Sequence, residues 1–367
     1  MAERKITEAD VLRALSTVRD PDLGRDLVSL GMIENIAIQS DSVSFTVVLT
    51  TPACPLKGKI ESDCRIAVSA IPGVRNVNVK MDARVVAGRG QKGKQGIPNV
   101  RNVIAIASGK GGVGKTTVSV NLAMALAESG AKVGILDADV TGPNVPMMIG
   151  AQGEPRAKNG KIEPIVSYGV KVISISFFVP EGTPVIWRGP MVGGAIQQFL
   201  HDVDWGDLDY LVVDLPPGTG DASISLAQLI PLSGVVIVST PQDVALLDAT
   251  KSLAMFQKLE ASILGLVENM SYFICPHCNE RVDIFGHGGA EKAAERLDIP
   301  FLGRVPINPE IREGGDQGIP ILRSNPKSSE AEAFRQIASQ VAARISVLTL
   351  GPTGKRPTWV PLPMAPA

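Results

Sequence analysis

Hydrophobic positions change their period along the chain. Val11, Leu12, Leu15 and Val18 recur at helical spacing behind Thr7, a residue type that caps helix N-termini, so a first helix is expected there. Val43, Phe45, Val47 and Leu49 recur at every second position, as in a half-buried strand. Ile33, Ile36 and Ile38 precede them, and Asp41-Ser42 between the two runs suggests a hairpin. A second helix is expected after Pro55, and Val77, Val79 and Met81 alternate in a closing strand. Residues 1–85 therefore read as a small α+β domain.

Further on, the alternation disappears. Continuous apolar runs stand at 103–107, 133–136, 210–213, 235–238 and 264–267, with helical stretches between most of them. Such runs fit strands buried on both faces. An α/β domain with a mostly parallel sheet covered by helices is expected over 101–350, its last helix at about 328–347. Between the domains, the stretch AGRGQKGKQGIPNV within 86–100 is rich in Gly, Lys and Arg and reads as a flexible basic linker. Residues 351–367 hold five prolines and read as an extended or disordered tail. No internal repeat is visible.

Composition narrows the function classes. Lys and Arg number 36 against 37 Asp and Glu, a net charge of -1 that gives no support to nucleic-acid binding. No apolar run reaches the ~18 residues of a membrane span, so no membrane partner is expected. The opening MAERKITEAD lacks the apolar centre of a signal peptide, and a cytoplasmic location is expected. Four cysteines cannot staple 367 residues, so they are better read as ligands, nucleophiles or core residues.

The strongest motif is Gly109-Lys110-Gly111-Gly112-Val113-Gly114-Lys115-Thr116-Thr117, directly after Ser108 and the 103–107 run. It fits G-x-x-x-x-G-K-[ST] with a strand before it and a helix after it. Glycines let the backbone N–H groups face phosphate oxygens, and the helix adds its positive end. Lys115 is expected to reach the β- and γ-phosphates of ATP and Thr116 to ligate Mg²⁺. Asp137 and Asp139 close one apolar run and Asp214 another, where parallel sheets bind ligands. Asp214, followed by the switch-like PPGTGD, is the candidate for holding Mg²⁺ through water.

Cys275-Pro276-His277-Cys278 can grip one metal from a tight turn. A redox dithiol ranks lowest, because the following NERVDIFG has poor helix character. Structural zinc completed by His277 or His287, and an iron–sulfur cluster, both remain open. Clusters usually take four thiolates. Cys54 and Cys64 lie in the first domain, so a four-cysteine site is most simply built by two chains, as in a symmetric homodimer.

The spelling KGGVGKTT resembles the deviant Walker A loop of the MinD/ParA class of P-loop ATPases. With LDADVTGPN, WRGPM, DYLVVDLPPGTGD, STPQDVALLD, ENMSYFICPHC and GRVPINPEIREGGDQG, the chain resembles the Mrp/ApbC-type iron–sulfur cluster carriers. The segments DPDLGRDLVSLGMI and LTTPACPL resemble the MIP-type (PaaD-like) module fused to many of them. That resemblance implies slow ATP hydrolysis and dimerisation. It also implies a bridging [4Fe-4S] cluster on Cys275 and Cys278, received from an assembly scaffold and passed to apo acceptor proteins. It further implies that Lys110 contacts phosphate across the dimer, that Asp139 orients the attacking water and that Asp137 supports the metal. Asn269 would read the adenine, Pro306 and Ile307 would flank it, and Arg188 would contact a partner or phosphate. For Asp137 and Asn269 a strand-end cap is the competing reading. Cys54 is either a relay thiol activated by a helix N-terminus or a turn residue, and Cys64 a core residue. The competing function is a MinD/ParA-like positioning ATPase with a structural zinc knuckle.

Overall fold

Thr7 closes the first helix as its spacing predicts. Its side chain accepts from the Asp10 N–H while the Asp10 carboxylate accepts from the Thr7 N–H, a reciprocal capping box. The computed structural model describes residues 5–88, 94, 96–179 and 189–351. The chain divides into two compact units: residues up to Val86 with those from Ala342 onward, and Ala87–Val341.

The first unit runs α1 (Glu8–Leu15), β1 (Ile33–Gln39), β2 (Ser42–Leu49), α2 (Lys57–Ser69) and β3 (Asn76–Ala83). β1 and β2 form an antiparallel hairpin, and β3 pairs parallel to β2. Gln39 pairs with Ser42, so the turn is Ser40-Asp41, one residue earlier than expected, with Ser40 at φ 54° as primed hairpin turns require. The helix also stops short of Val18. Ser16 and Thr17 turn their hydroxyls back onto the Arg13 and Ala14 carbonyls, and Val18 is buried from the segment beyond. The core is built from Val11, Leu15, Phe45, Leu49, Ile60 and Val68, with Cys64 packed among them as expected.

The second unit begins with β4 (Val100–Ser108), α3 (Lys115–Glu128), β5 (Val133–Asp137), α4 (Val145–Met148) and the small hairpin β6 (Arg156–Lys158) and β7 (Lys161–Glu163). It continues through β8 (Ile165–Ser167), β9 (Val170–Ser174), α5 (Gly189–His201), β10 (Leu208–Asp214), α6 (Asp221–Leu229), β11 (Gly234–Ser239), α7 (Asp243–Lys258) and β12 (Ile263–Glu268). A second hairpin, β13 (Phe273–Ile274) and β14 (Arg281–Val282), precedes α8 (Gly289–Arg296), β15 (Phe301–Arg304), α9 (Pro309–Gln317), α10 (Ile321–Ser324) and α11 (Ser329–Leu350).

The main sheet has the order β15-β12-β11-β4-β10-β5-β9-β8. Every pairing in it is parallel except that of β8 with β9. The five apolar runs are its central strands, and β5, β10 and β11 are buried at every residue. The polar ends of β4, β5, β10 and β12 (Ser108, Asp137, Asp214 and Glu268) therefore share one edge of the sheet, where parallel sheets bind ligands.

Part of the expected linker is packed rather than free. Ile97 is buried in the core of this unit, and Lys94 Nζ donates to the Ala227 and Ile230 carbonyls at 2.8 and 3.0 Å. Desolvation there lowers the Lys94 pKa. Residues 89–93 and 95, Arg188 with Trp187 of WRGPM, and the Pro-rich tail from residue 352 lie outside the described residues. No helix among the described residues is long and apolar enough to cross a membrane.

Candidate functional site

The glycine loop leaves β4 and enters α3 under tight steric control. A Cβ at Gly109 would stand 2.1 Å from the backbone carbon of Asp248 in α7. Gly112 and Gly114 adopt φ 81° and 79°, where side chains are strained, and a Cβ at Gly114 would meet Asn269 Nδ2 at 2.1 Å. No side chain caps α3, so its first N–H groups stay open toward the loop. Gly109→Ala forces α7 backbone aside, a strain of about 1–3 kcal/mol. A lower melting temperature with weakened nucleotide affinity is expected; wild-type values of both would show that α7 yields freely.

Lys115 and Thr116, the first residues of α3, turn onto Asp214 at the end of β10. Lys115 Nζ and Thr116 Oγ1 both donate to Asp214 Oδ2 at 2.7 Å, and Ser119 Oγ donates to Oδ1 at 2.5 Å. Lys115 Nζ also lies 3.7 Å from Asp139 Oδ2. Lys115, Ser119, Asp139 and Asp214 are all buried, which strengthens the charge interactions among them. No motif marks Ser119. Its signal is a small polar residue one turn after Lys115, between Val118 and Val120.

Asp137 stands opposite Asp214 in the β5–β10 register. It accepts from Ser174 Oγ at 3.1 Å and from the backbone N–H groups of Val145 and Asp139 at 3.2 Å each. Its carboxylate thus caps the loop that leads into α4. Burial above all, and then the Asp214 charge, hold its carboxyl well above the ordinary range; Val145, Lys115 and Ser174 oppose them. Asp139 accepts from Thr141 Oγ1 at 2.7 Å and faces Lys115. Lys110, half-buried at the loop, makes no ion pair among the described residues.

Asn269 follows β12, but its amide turns inward. Nδ2 donates to the Val113 carbonyl at 2.9 Å, so the side chain buttresses the phosphate loop in place of reaching openly for a base. Pro306 is buried, and Ile307 donates its N–H to the Tyr272 carbonyl at 2.7 Å, pinning the stem of the cysteine hairpin. Glu268, also unforeseen, is fully buried; it accepts from Ser271 Oγ at 2.5 Å and from the Ala290 N–H at 2.8 Å. These bonds fix the turn through Met270, which lies at φ 54°.

Cys275 and Cys278 sit in the tight turn of the β13–β14 hairpin. The Cys275 N–H bonds the Glu280 carbonyl, and the Asn279 N–H bonds the Cys275 carbonyl. Cys278 is exposed and Cys275 partly so. The backbone N–H of Cys278, then that of His277, lower the Cys275 pKa, favouring the thiolate that binds metal. Among the described residues no three Cys, His, Asp or Glu side chains gather into a metal-sized group. The His287 Nδ1 lies 2.6 Å from Arg281 Nη2. Cys54 was open between an activated relay thiol and a turn residue. Burial pushes its thiol up to about 11, and the Leu56 N–H at the start of α2 offsets this only in part.

The comparisons with known proteins fit this architecture. Residues 99–342 match the family model of the NUBPL iron-transfer P-loop NTPase, and residues 8–81 that of an iron–sulfur cluster assembly protein. The chain is 50% identical over 351 residues to an iron–sulfur cluster carrier protein of Synechocystis, covering 94% of this chain and 99% of that protein. Over 276 residues it is 49% identical to the mouse iron–sulfur cluster transfer protein NUBPL, covering 74% of this chain and 86% of that one. Among solved structures, a nucleotide-binding protein from Archaeoglobus fulgidus in complex with ADP matches with TM-score 0.57 and 39% identity, over 65% of this chain and 93% of that one. The cell division ATPase MinD of Pyrococcus furiosus matches with TM-score 0.50 and 26% identity, over 65% and 98%. With its loop, its acidic strand ends and two thirds of its length matched, the chain belongs to the NUBPL-type iron-transfer P-loop NTPases.

Proposed function

We propose that this chain is an ATP-hydrolysing iron–sulfur cluster carrier that works as a homodimer and hands its cluster to apo acceptor proteins. Residues 108–117 cradle the nucleotide phosphates, with Lys115 on the β- and γ-oxygens. The oxygen set of Thr116 and Asp214 suits Mg²⁺, which takes hard oxygen donors and keeps several waters. Bound there, Mg²⁺ would neutralise phosphate charge. Asp139 is suited to orienting the attacking water, because its carboxylate lies beside Lys115. Asp137 holds the β5–α4 loop in place rather than binding the metal directly. Lys110, without an ion pair among the described residues, is available to a partner's nucleotide. Asn269 supports the loop.

The observation that carries the reading is the thiol pair in its tight hairpin turn, with no third ligand gathered beside it among the described residues. Four thiolates then come from two copies, around one [4Fe-4S] cargo. Protein purified without oxygen is expected to hold about four iron and four sulfide per two chains, the composition of one such cluster. One zinc per chain without sulfide would overturn this.

A further inference from the structure

We infer that Ser119 is a positioning residue for the magnesium site. Its hydroxyl holds Asp214 Oδ1, so that Oδ2 keeps its direction when nucleotide draws Lys115 and Thr116 away. The inference rests on the proposed reading of Thr116 and Asp214 as the Mg²⁺ site, and adds to it the group that keeps the carboxylate aimed.

Both oxygens of Asp214 are held by side chains of one helix, α3. Oδ2 accepts from Lys115 Nζ and Thr116 Oγ1, each at 2.7 Å, and Oδ1 accepts from Ser119 Oγ at 2.5 Å. The three donors differ in what else they can serve. The phosphate-loop lysine is bound for the β- and γ-phosphates and the threonine hydroxyl for the metal, so both donors on Oδ2 have a second destination. Ser119 stands one turn further along the helix, wholly buried, and has no place in the phosphate loop. Among the described residues it is the side-chain donor on Asp214 that nucleotide leaves where it is.

A serine hydroxyl has one proton, and two acceptors lie within its reach: Asp214 Oδ1 at 2.5 Å and the Lys115 carbonyl at 3.0 Å. A serine inside a helix can bond back to the carbonyl four residues earlier, which here is that of Lys115. The shorter contact has the length of a charge-assisted O–H···O⁻ bond, so the proton lies toward the carboxylate.

That bond fixes a rotation which the backbone leaves open. The Asp214 main chain is set by its register with Ile106 of β4 and Asp137 of β5, but its carboxylate can still turn about its last bond. Anchoring Oδ1 to α3 stops that turn and keeps Oδ2 beside the Thr116 hydroxyl. Asp214 is 1% exposed, so bulk water does not readily replace a lost donor there. The strand end and the helix that carries the metal-binding hydroxyl are thereby held to one another by a residue outside the loop motif.

The test uses full-length Ser119→Ala protein, since alanine suits a helix interior and removes only the hydroxyl. Calorimetry reads the binding of AMP-PNP, a non-hydrolysable ATP analogue, in EDTA and at rising Mg²⁺. In EDTA the variant is expected to bind AMP-PNP as the wild type does, because the loop and Lys115 are intact. The Mg²⁺ needed to strengthen that binding should rise about ten-fold, the size expected for one lost hydrogen bond to a charged group. With Mn²⁺ as the probe, electron paramagnetic resonance should show more metal left free. Ser119→Thr, which keeps the hydroxyl, should return the Mg²⁺ requirement toward that of the wild type. An unchanged requirement in Ser119→Ala would overturn the inference. So would an equal loss of affinity with and without Mg²⁺, which marks a merely structural role, or a folded threonine variant as impaired as the alanine one. Asp214→Asn separates this from the reading beneath it. If that variant keeps the wild-type Mg²⁺ requirement, the assignment of the metal to Asp214 falls. If its requirement rises while that of Ser119→Ala does not, the role of Ser119 falls alone.

Discussion

Protein carrying both Cys275→Ser and Cys278→Ser is expected to come out of anaerobic reconstitution without iron or sulfide, while still binding nucleotide. Serine keeps the shape of the hairpin but offers a hydroxyl that stays protonated where a thiol ionises. The N–H groups of Cys278 and His277 that favour the Cys275 thiolate would then face a neutral oxygen. Two lost ligands per chain remove all four from the dimer, so the effect is near-complete rather than graded. Both cysteines are at least partly exposed, so folding is expected to be unharmed. Retained iron in the double variant would show that the cluster is held elsewhere, whereas lost nucleotide binding would show that the hairpin supports the loop.

Lys115→Ala is expected to lower ATP hydrolysis by about 10²–10³-fold, as loss of one preorganised charge-stabilising donor does. It also leaves Asp214 buried beside Asp137 without its ammonium partner. Removing one member of a buried ion pair costs about 3–5 kcal/mol of stability. The pH dependence separates the two effects. Asp137 already titrates above its ordinary 3.8 in the fold, and Lys115 is one of the groups holding it down. A carboxyl raised in the folded state favours the fold at low pH, and that advantage fades as pH rises through the folded value. The melting deficit of Lys115→Ala is therefore expected to grow from acid toward neutral pH, with hydrolysis depressed throughout. A pH-independent deficit would show that the carboxylates find other partners. Thr116→Ala, which leaves no buried charge behind, separates loss of the metal ligand from loss of the fold.

Most of the sheet and the loop could be read from the sequence because strong local rules dictate them. Uninterrupted apolar runs belong to strands covered on both faces, and a G-x-x-x-x-G-K-T spelling between strand and helix rarely arises without a phosphate to bind. The edge strand β8 and its neighbour β9 were not legible: they are three and five residues long, split by the Tyr168-Gly169 turn. Side-chain direction was the second gap. Spacing placed Asn269 at a strand end, but only the fold reveals that its amide faces Val113. The Cys54 thiol was not legible for a related reason. A helix start lowers a thiol pKa only where water or charge stabilises the thiolate, and here burial outweighs the Leu56 N–H. Ser119 was missed because a single polar residue inside an apolar segment carries no periodic signal, and Glu268 because no phosphate motif accompanies its strand end.

The tether from Asn269 to the loop makes residues 269–275 a stretch of fixed length. One end must lie where its amide meets Val113, and the other must deliver Cys275 to the hairpin turn. In between, the bonds of Ser271 to Glu268 and of Tyr272 to Ile307 take up the slack. Surface loops usually tolerate insertions well. Here one added residue would pull either the phosphate loop or the thiols out of place, so the spacing from Asn269 through Cys278 is expected to tolerate no change in chain length.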